Sequence, residues 1–219
     1  MSHVWDFQTV FASWPLLSQG LLNTLKLGLL TLITGLFFGL FVGLGRYSRN
    51  RWVNFPASVF VEVFRNTPAL VQIMWFYFAF PIISPFDIDA FSAAALGLGL
   101  NTTAFCAEIF RGGIQSIHRG QWEAGKALGM TYQEQVLRVI LPQAVVRMIP
   151  AFMNRVAELM KMTSLASVIA FGELMHQAKT ISTYHFNPIE TYTVVALLFF
   201  VVISPFAFLV YRLENRFRK

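Results

Sequence analysis

Charge is scarce in this chain. Charged residues make up 13% of its 219 positions, about half the share of an ordinary soluble domain. The hydrophobic set reaches 56%, and phenylalanine alone occurs 23 times. A soluble domain of this size cannot hide that much apolar surface, whereas lipid accepts it. Cysteine occurs once, at Cys106, which excludes an internal disulfide. The first 20 residues carry no Lys or Arg, so the basic flank of a secretory signal is missing. His3, His118, His176 and His185 are scattered over different loops in no metal-ligand spacing. No G-x-S-x-G element occurs, and no nucleophile–base pair stands out, which removes support for an intramembrane hydrolase. Periodic repeats and long linkers are absent too. The chain reads as a polytopic membrane protein.

What is present is a set of apolar runs. Residues 27–45 pass 19 positions without a charge, about 28 Å as a helix. Residues 66–86, 90–107 and 191–211 are comparable, and a weaker fifth span lies within 147–170, interrupted by Arg155, Glu158 and Lys161. The expected fold is therefore all-α: a single transmembrane domain over 1–219, with five helices and its two ends on opposite sides. The net charge of +6 would raise nucleic acid as a partner in a soluble chain. Here the basic residues fall in short loops and report orientation instead. Arg46, Arg49, Arg51, Arg111, Arg119, Lys126, Arg138, Arg147, Arg212, Arg216, Arg218 and Lys219 lie on one side of a five-span chain, and Lys179 alone lies on the other. The N-terminus is expected outside and the C-terminus in the cytoplasm. Residues 176–190 read as a polar outside loop.

The one sizeable inside segment covers 111–142. Residues 121–128 read as a short helix stopped by Gly129, a position suited to a left-handed cap. Thr131 to Glu134 fits a capping box that starts a second helix, and Pro142 suits the first turn of the next span. An amphipathic helix on the lipid surface is the alternative for this shape. Gly120 to Ala127 nearly spells the phosphate loop G-x-x-x-x-G-K-[ST]. Its last position lacks the hydroxyl, Glu123 puts a negative charge in the cradle, and no strand precedes it. The segment is not read as a nucleotide site.

Glu123-Ala124-Gly125, Gly129 and Val139-Ile140-Leu141-Pro142, at their spacing, resemble the EAA motif of binding-protein-dependent ABC importer permeases. The departures are Gly125, where alanine is expected, and Val139, where isoleucine is. Phe64 to Gln72, Ala107 to Ile114, Leu141 to Ala144 and Lys161 to Ala166 resemble further segments of the polar amino acid (histidine, glutamine and glutamate) permeases, so the likeness covers about residues 18–215. The resemblance implies a permease subunit of the bacterial inner membrane that pairs with a second permease, as homodimer or heterodimer. It implies an ABC ATPase subunit holding ATP and Mg, a solute-binding protein outside, and no cofactor or catalysis in this chain. Glu123, Ala124, Gly125, Gly129, Leu141 and Pro142 would couple to the ATPase.

For the pathway, the residues themselves give candidates. A zwitterionic amino acid needs acceptors for its ammonium and donors for its carboxylate. Asn66, Thr67, Ala69 and Gln72 flank Pro68, which frees a backbone carbonyl. Glu158, Lys161, Thr163 and Ser164 supply charges and hydroxyls in the weakest span. Met162 stands where many relatives are acidic. Glu62–Arg65, Glu108–Arg111 and Glu158–Lys161 are each spaced to pair along a helix face. Lys26 is read as snorkelling at the outer end of the first span. Gly35, Gly39 and Gly43 form a stripe for helix packing or subunit contact. The rival function is a stand-alone ion- or proton-coupled carrier, although five spans do not divide into the repeats such carriers show. A purely structural assembly subunit would leave the polar intramembrane residues unexplained.

Overall fold

The computed structural model describes residues 5–217; His3, Arg218 and Lys219 lie outside the described residues. Among these, all regular structure is helical. In chain order the helices are α1 (Gln8–Ala12), α2 (Trp14–Tyr47), α3 (Arg51–Asn66), α4 (Ala69–Ile83), α5 (Ala90–Gln115), α6 (Arg119–Ala127), α7 (Tyr132–Ile169), α8 (Leu174–His185) and α9 (Pro188–Phe217). By length and composition α2, α5, α7 and α9 can each cross a membrane, and α3 with α4 makes a fifth candidate bent by 102°.

That bend corrects the expected span over 66–86. Pro68 has no N–H to give Phe64 four residues back, so the helix breaks at Thr67–Pro68 and restarts at Ala69. Helix α4 alone is about 22 Å long, too short for a hydrocarbon core of about 30 Å. A crossing here needs α3 as well.

Prolines shape the other helices differently. A turn of π-helix at Trp75–Ala79 ends two residues before Pro81, and another at Gln135–Ile140 ends two residues before Pro142. In each case the missing proline N–H removes one i→i−4 bond, and the wider turn absorbs the defect. The helix from Thr131 is thus continuous with the fifth span rather than a separate element. Helix α2 also starts well before residue 27, so Lys26 is exposed where a packed N-terminal extension meets the apolar run. The stretch expected as a loop, 176–190, is helical instead: α8 runs to His185, Phe186 takes a left-handed turn at φ 54°, and α9 starts at Pro188.

The core follows the small residues. A Cβ on Gly35 would lie 2.5 Å from the Thr102 side chain, one on Gly39 would lie 2.6 Å from Cys106 Cβ, and one on Gly43 would lie 2.8 Å from the Ala107 carbonyl. The glycine stripe therefore brings α2 against α5 within this chain. Leu27, Ile73, Leu98, Leu159 and Ala166 close the central core. Gly39→Ala is expected to destabilise by about 2 kcal/mol through overpacking. Gly45→Ala, whose Cβ would meet only ordinary contacts at 3.5 Å, should be neutral or slightly stabilising. Thermal unfolding of the two variants in detergent compares one chemistry at two places on one helix. Equal melting temperatures would contradict the packing account.

At the α8 end, Glu173 caps α8 by accepting from the Met175 and His176 amides at 2.8 Å, and it is fully buried. Burial pushes its carboxyl from 4.5 to about 7, against the pull of those two amides. The folded chain then holds the proton more tightly than the unfolded one. The stability contributed by this group is greatest below pH 4.5, falls as pH rises toward 7, and is level above, a difference of about 3 kcal/mol. Melting temperature should drop between pH 5 and pH 8, and Glu173→Gln should flatten that slope. A variant with the native slope would reject the assignment.

Candidate functional site

The break at Pro68 opens a polar seam through the bundle. The carbonyl of Phe64, deprived of its helical donor, accepts from Gln72 Nε2 and from Asn101 Nδ2, each at 2.9 Å. Gln72 Nε2 also donates to the Thr67 carbonyl at 2.9 Å. Asn101 on α5 then turns its own oxygen to α7, accepting from Arg155 Nη2 at 2.8 Å. The same nitrogen donates to Thr102 Oγ1 at 3.1 Å, while Nη1 donates to Glu158 Oε2 at 2.9 Å. The Arg155 guanidinium is 3% exposed and lies over the Phe105 ring at 4.3 Å, and Arg65 approaches the same ring at 5.3 Å. Away from water each of these groups needs its partner.

A second cluster continues the seam toward α6. Arg46 donates to Glu62 and to Glu108 at 2.5 Å each, Arg65 lies 3.9 Å from Glu108, and Arg111 Nε donates to Glu108 at 3.0 Å. It ties together the C-terminal ends of α2, α3 and α5. Of the three expected pairs, Glu108–Arg111 forms. Glu62 pairs with Arg46 rather than Arg65, and Glu158 with Arg155 rather than Lys161.

The candidate pathway residues divide by exposure. Asn66, Glu158 and Lys161 are exposed, and Thr67 and Ser164 are half-buried with their hydroxyls donating to Val63 O and Lys161 O. Ala69, Gln72 and Thr163 are buried; Gln72 bridges the helix break and Thr163 Oγ1 donates to Met160 O. Ala69 and Ile73 share a core with Leu159 and Ala166, so the two segments pack together. On α7, Asn154, Glu158 and Lys161 make one exposed polar face at i, i+4, i+7, and among the described residues Asn154 and Lys161 side chains have no partner. Such a face is not lipid-compatible.

At the α6 end, His118 Nδ1 accepts from the Gly120 amide and caps α6. Gly129 sits at φ 74°, the Met130 amide donates to the Gly125 carbonyl, and Thr131 with Glu134 completes the capping box. Glu123 and Ala124 are exposed on α6, as are Leu141 and Pro142 on α7. Gly125 is buried: a Cβ there would lie 2.8 Å from Gln135 Cγ, which gives the glycine in place of alanine a packing reason. The phosphate-loop look-alike is helical from Arg119, so its amides serve the helix and cannot cradle a phosphate.

Residues 35–219 match the family of binding-protein-dependent transport system inner membrane components. The chain belongs to that family. It is 38% identical over 214 residues to the glutamine transport system permease protein GlnP of Escherichia coli (strain K12), covering 97% of this chain and 98% of that protein. It is 33% identical over 213 residues to the arginine transport system permease protein ArtQ of Bacillus subtilis (strain 168), with 97% of each covered. A chain from a crystal structure of an amino acid ABC transporter with histidines superposes with a TM-score of 0.91 at 36% identity, covering 98% of this chain and all of that one.

For this inner membrane component, sequence reasoning named the ends of the seam and missed its centre. Arg155 reads in the sequence only as an interruption of an apolar run, and Asn101 belongs to no motif there. The available signal was Asn101-Thr102-Thr103, three polar residues inside an otherwise apolar run, beside a proline whose lost N–H leaves a carbonyl open.

Proposed function

We propose that the chain is the membrane-spanning permease subunit of an ATP-binding-cassette importer for polar amino acids in a bacterial inner membrane. The observation that carries this is full-length similarity to permeases named for glutamine and arginine transport. The N-terminus is outside and the C-terminus cytoplasmic. A second permease, identical or similar, faces the Asn154–Glu158–Lys161 stripe of α7, and the two walls enclose the route. Because Arg155 engages one oxygen of Glu158, the other can take an ammonium, while the unpaired Lys161 can take a carboxylate. That pairing of opposite charges suits a zwitterion. Asn66, Thr67 and Ser164 complete the polar lining, with Ala69, Gln72 and Thr163 holding its shape.

Helix α6 is the coupling element. Glu123, Ala124 and Gly125, stopped at Gly129 and anchored by Leu141 and Pro142 at the head of the long helix, dock into a separate ATPase that binds ATP and Mg. A solute-binding protein delivers the amino acid from outside. The chain itself binds no cofactor and hydrolyses nothing.

The test is uptake of labelled amino acids into proteoliposomes holding the chain with the ATPase that co-purifies with it. Uptake should require both ATP and the binding protein. Accumulation driven by an ion gradient through the chain alone would instead establish a secondary carrier.

A further inference from the structure

Within the Arg46–Glu62–Glu108 cluster, Arg65 is the cation left without a hydrogen bond. Glu108 Oε2 accepts from Arg46 Nη1 at 2.5 Å and from Arg111 Nε at 3.0 Å, and Arg111 Nη2 takes the other oxygen. Arg65 keeps only a 3.9 Å approach to Glu108, beyond hydrogen-bond range. Among the described residues it donates to no acceptor, and its Nε is buried without a partner. Three arginines against two glutamates also leave the cluster one positive charge in excess. A guanidinium in this state has donors to give an anion. Its neighbours lead toward the polar stripe of α7. Glu62, Arg65 and Asn66 stand at i, i+3, i+4 on α3, with the Glu62 and Arg65 side chains 53% and 33% exposed. Charged groups in such a strip suit a polar route and not lipid. Arg65 shares the Phe105 ring with Arg155, which holds Glu158. Asn66 and Thr67, next in the chain, belong to the lining proposed above.

We propose that Arg65, with Glu62 beside it, forms a second resting point for the transported amino acid, on the α3 side of the break at Pro68. The guanidinium takes the α-carboxylate through two parallel N–H donors. Glu62 accepts from Arg46 on Oε1 and from Asn66 Nδ2 on Oε2, and its remaining lone pairs meet the ammonium. The carboxylate then passes from Lys161 to Arg65, and at neither point does it leave water without a cation to replace it. The inference rests on reading the chain as an importer permease.

Proteoliposomes holding the chain and its co-purifying ATPase are given the binding protein and labelled L-glutamine, L-glutamate and L-histidine, and uptake and ATP hydrolysis are read together. Arg65→Gln should melt and hydrolyse ATP as the native protein does, yet move about tenfold less amino acid per ATP. Arg65→Lys should restore part of that ratio, since an ammonium still meets a carboxylate. A native ratio in Arg65→Gln would overturn the proposal. So would a parallel fall of melting temperature, hydrolysis and uptake, which would make Arg65 a structural tie. In liposomes of phosphatidylcholine alone, without anionic headgroups, the loss in Arg65→Gln should persist; its disappearance there would assign Arg65 to a lipid phosphate instead. Absence of ATP-dependent uptake by the native chain would strike the importer reading itself.

Discussion

Replacing Arg155 with methionine is expected to lower stability by about 2 kcal/mol or more and to reduce uptake by at least an order of magnitude. The guanidinium makes three hydrogen bonds to oxygen, to Asn101, Thr102 and Glu158, and each contributes roughly 1 kcal/mol net. Methionine fills much of the volume and relieves the burial of a cation, which offsets part of the loss. What it cannot replace is satisfaction of the partners. Asn101 Oδ1 and Thr102 Oγ1 would stay buried without a donor, and Glu158 would face the proposed route as an uncompensated anion. Its side chain is 54% exposed in the chain alone, so its share is the smaller one. Arg155→Lys should rescue partially, because one ammonium cannot reach Asn101, Thr102 and Glu158 together. Adding Glu158→Gln to Arg155→Met should recover only a small part of the stability and none of the uptake, because Asn101 and Thr102 stay without their donor. Thermal unfolding and proteoliposome uptake on the four proteins decide it: native stability and native uptake in Arg155→Met would remove the seam from function.

The seam also explains which parts of the molecule could be read from its residues. Local features were legible. The Gly129 stop and the Thr131–Glu134 capping box depend on neighbours within a few positions, and both occur where the spacing puts them. The apolar runs of α2, α5 and α9 were legible for a similar reason, since lipid compatibility is a sum over one helix. Pairing was not. The i, i+3 rule counts neighbours on one helix, whereas Glu62 finds Arg46 from α2. Glu158 had Arg155 at the same spacing on its other side, and burial against Asn101 decided between the two lysine and arginine partners. The bend was half legible: Pro68 named the freed carbonyl but not that two side chains would close it without restoring a straight span. Helix α8 looked like a loop because its residues are polar, yet its buried cap at Glu173 and its packed face at Leu174, Ala178 and Ile181 come from tertiary contact with α2 and α9.

Charge reversal at Glu123 tests the other end of the machine. Glu123 is exposed and, among the described residues, has no partner in the chain, so Glu123→Lys should change folding stability by no more than about 0.5 kcal/mol. Its effect on association is of a different size. Arg49, Arg119 and Lys126 line one cleft with it, and a fourth cation there turns a mixed surface uniformly basic. A partner surface built to meet Glu123 would then face like charge, a penalty of several kcal/mol, or about 100-fold or more in affinity. Pull-down of the tagged chain from native membranes should recover an ATPase with the native protein and lose it with the variant. Membrane insertion and melting temperature stay unchanged. Glu123→Gln, which removes the charge without reversing it, should fall between the two. Gly129→Val should fail the same assay for another reason, since a β-branched residue at φ 74° unseats the turn that aims α6. The two routes separate in salt: screening at high ionic strength weakens the repulsion in Glu123→Lys and restores part of its binding, while the misdirected helix of Gly129→Val gains nothing. Normal uptake by Glu123→Lys would take the coupling role away from α6 altogether.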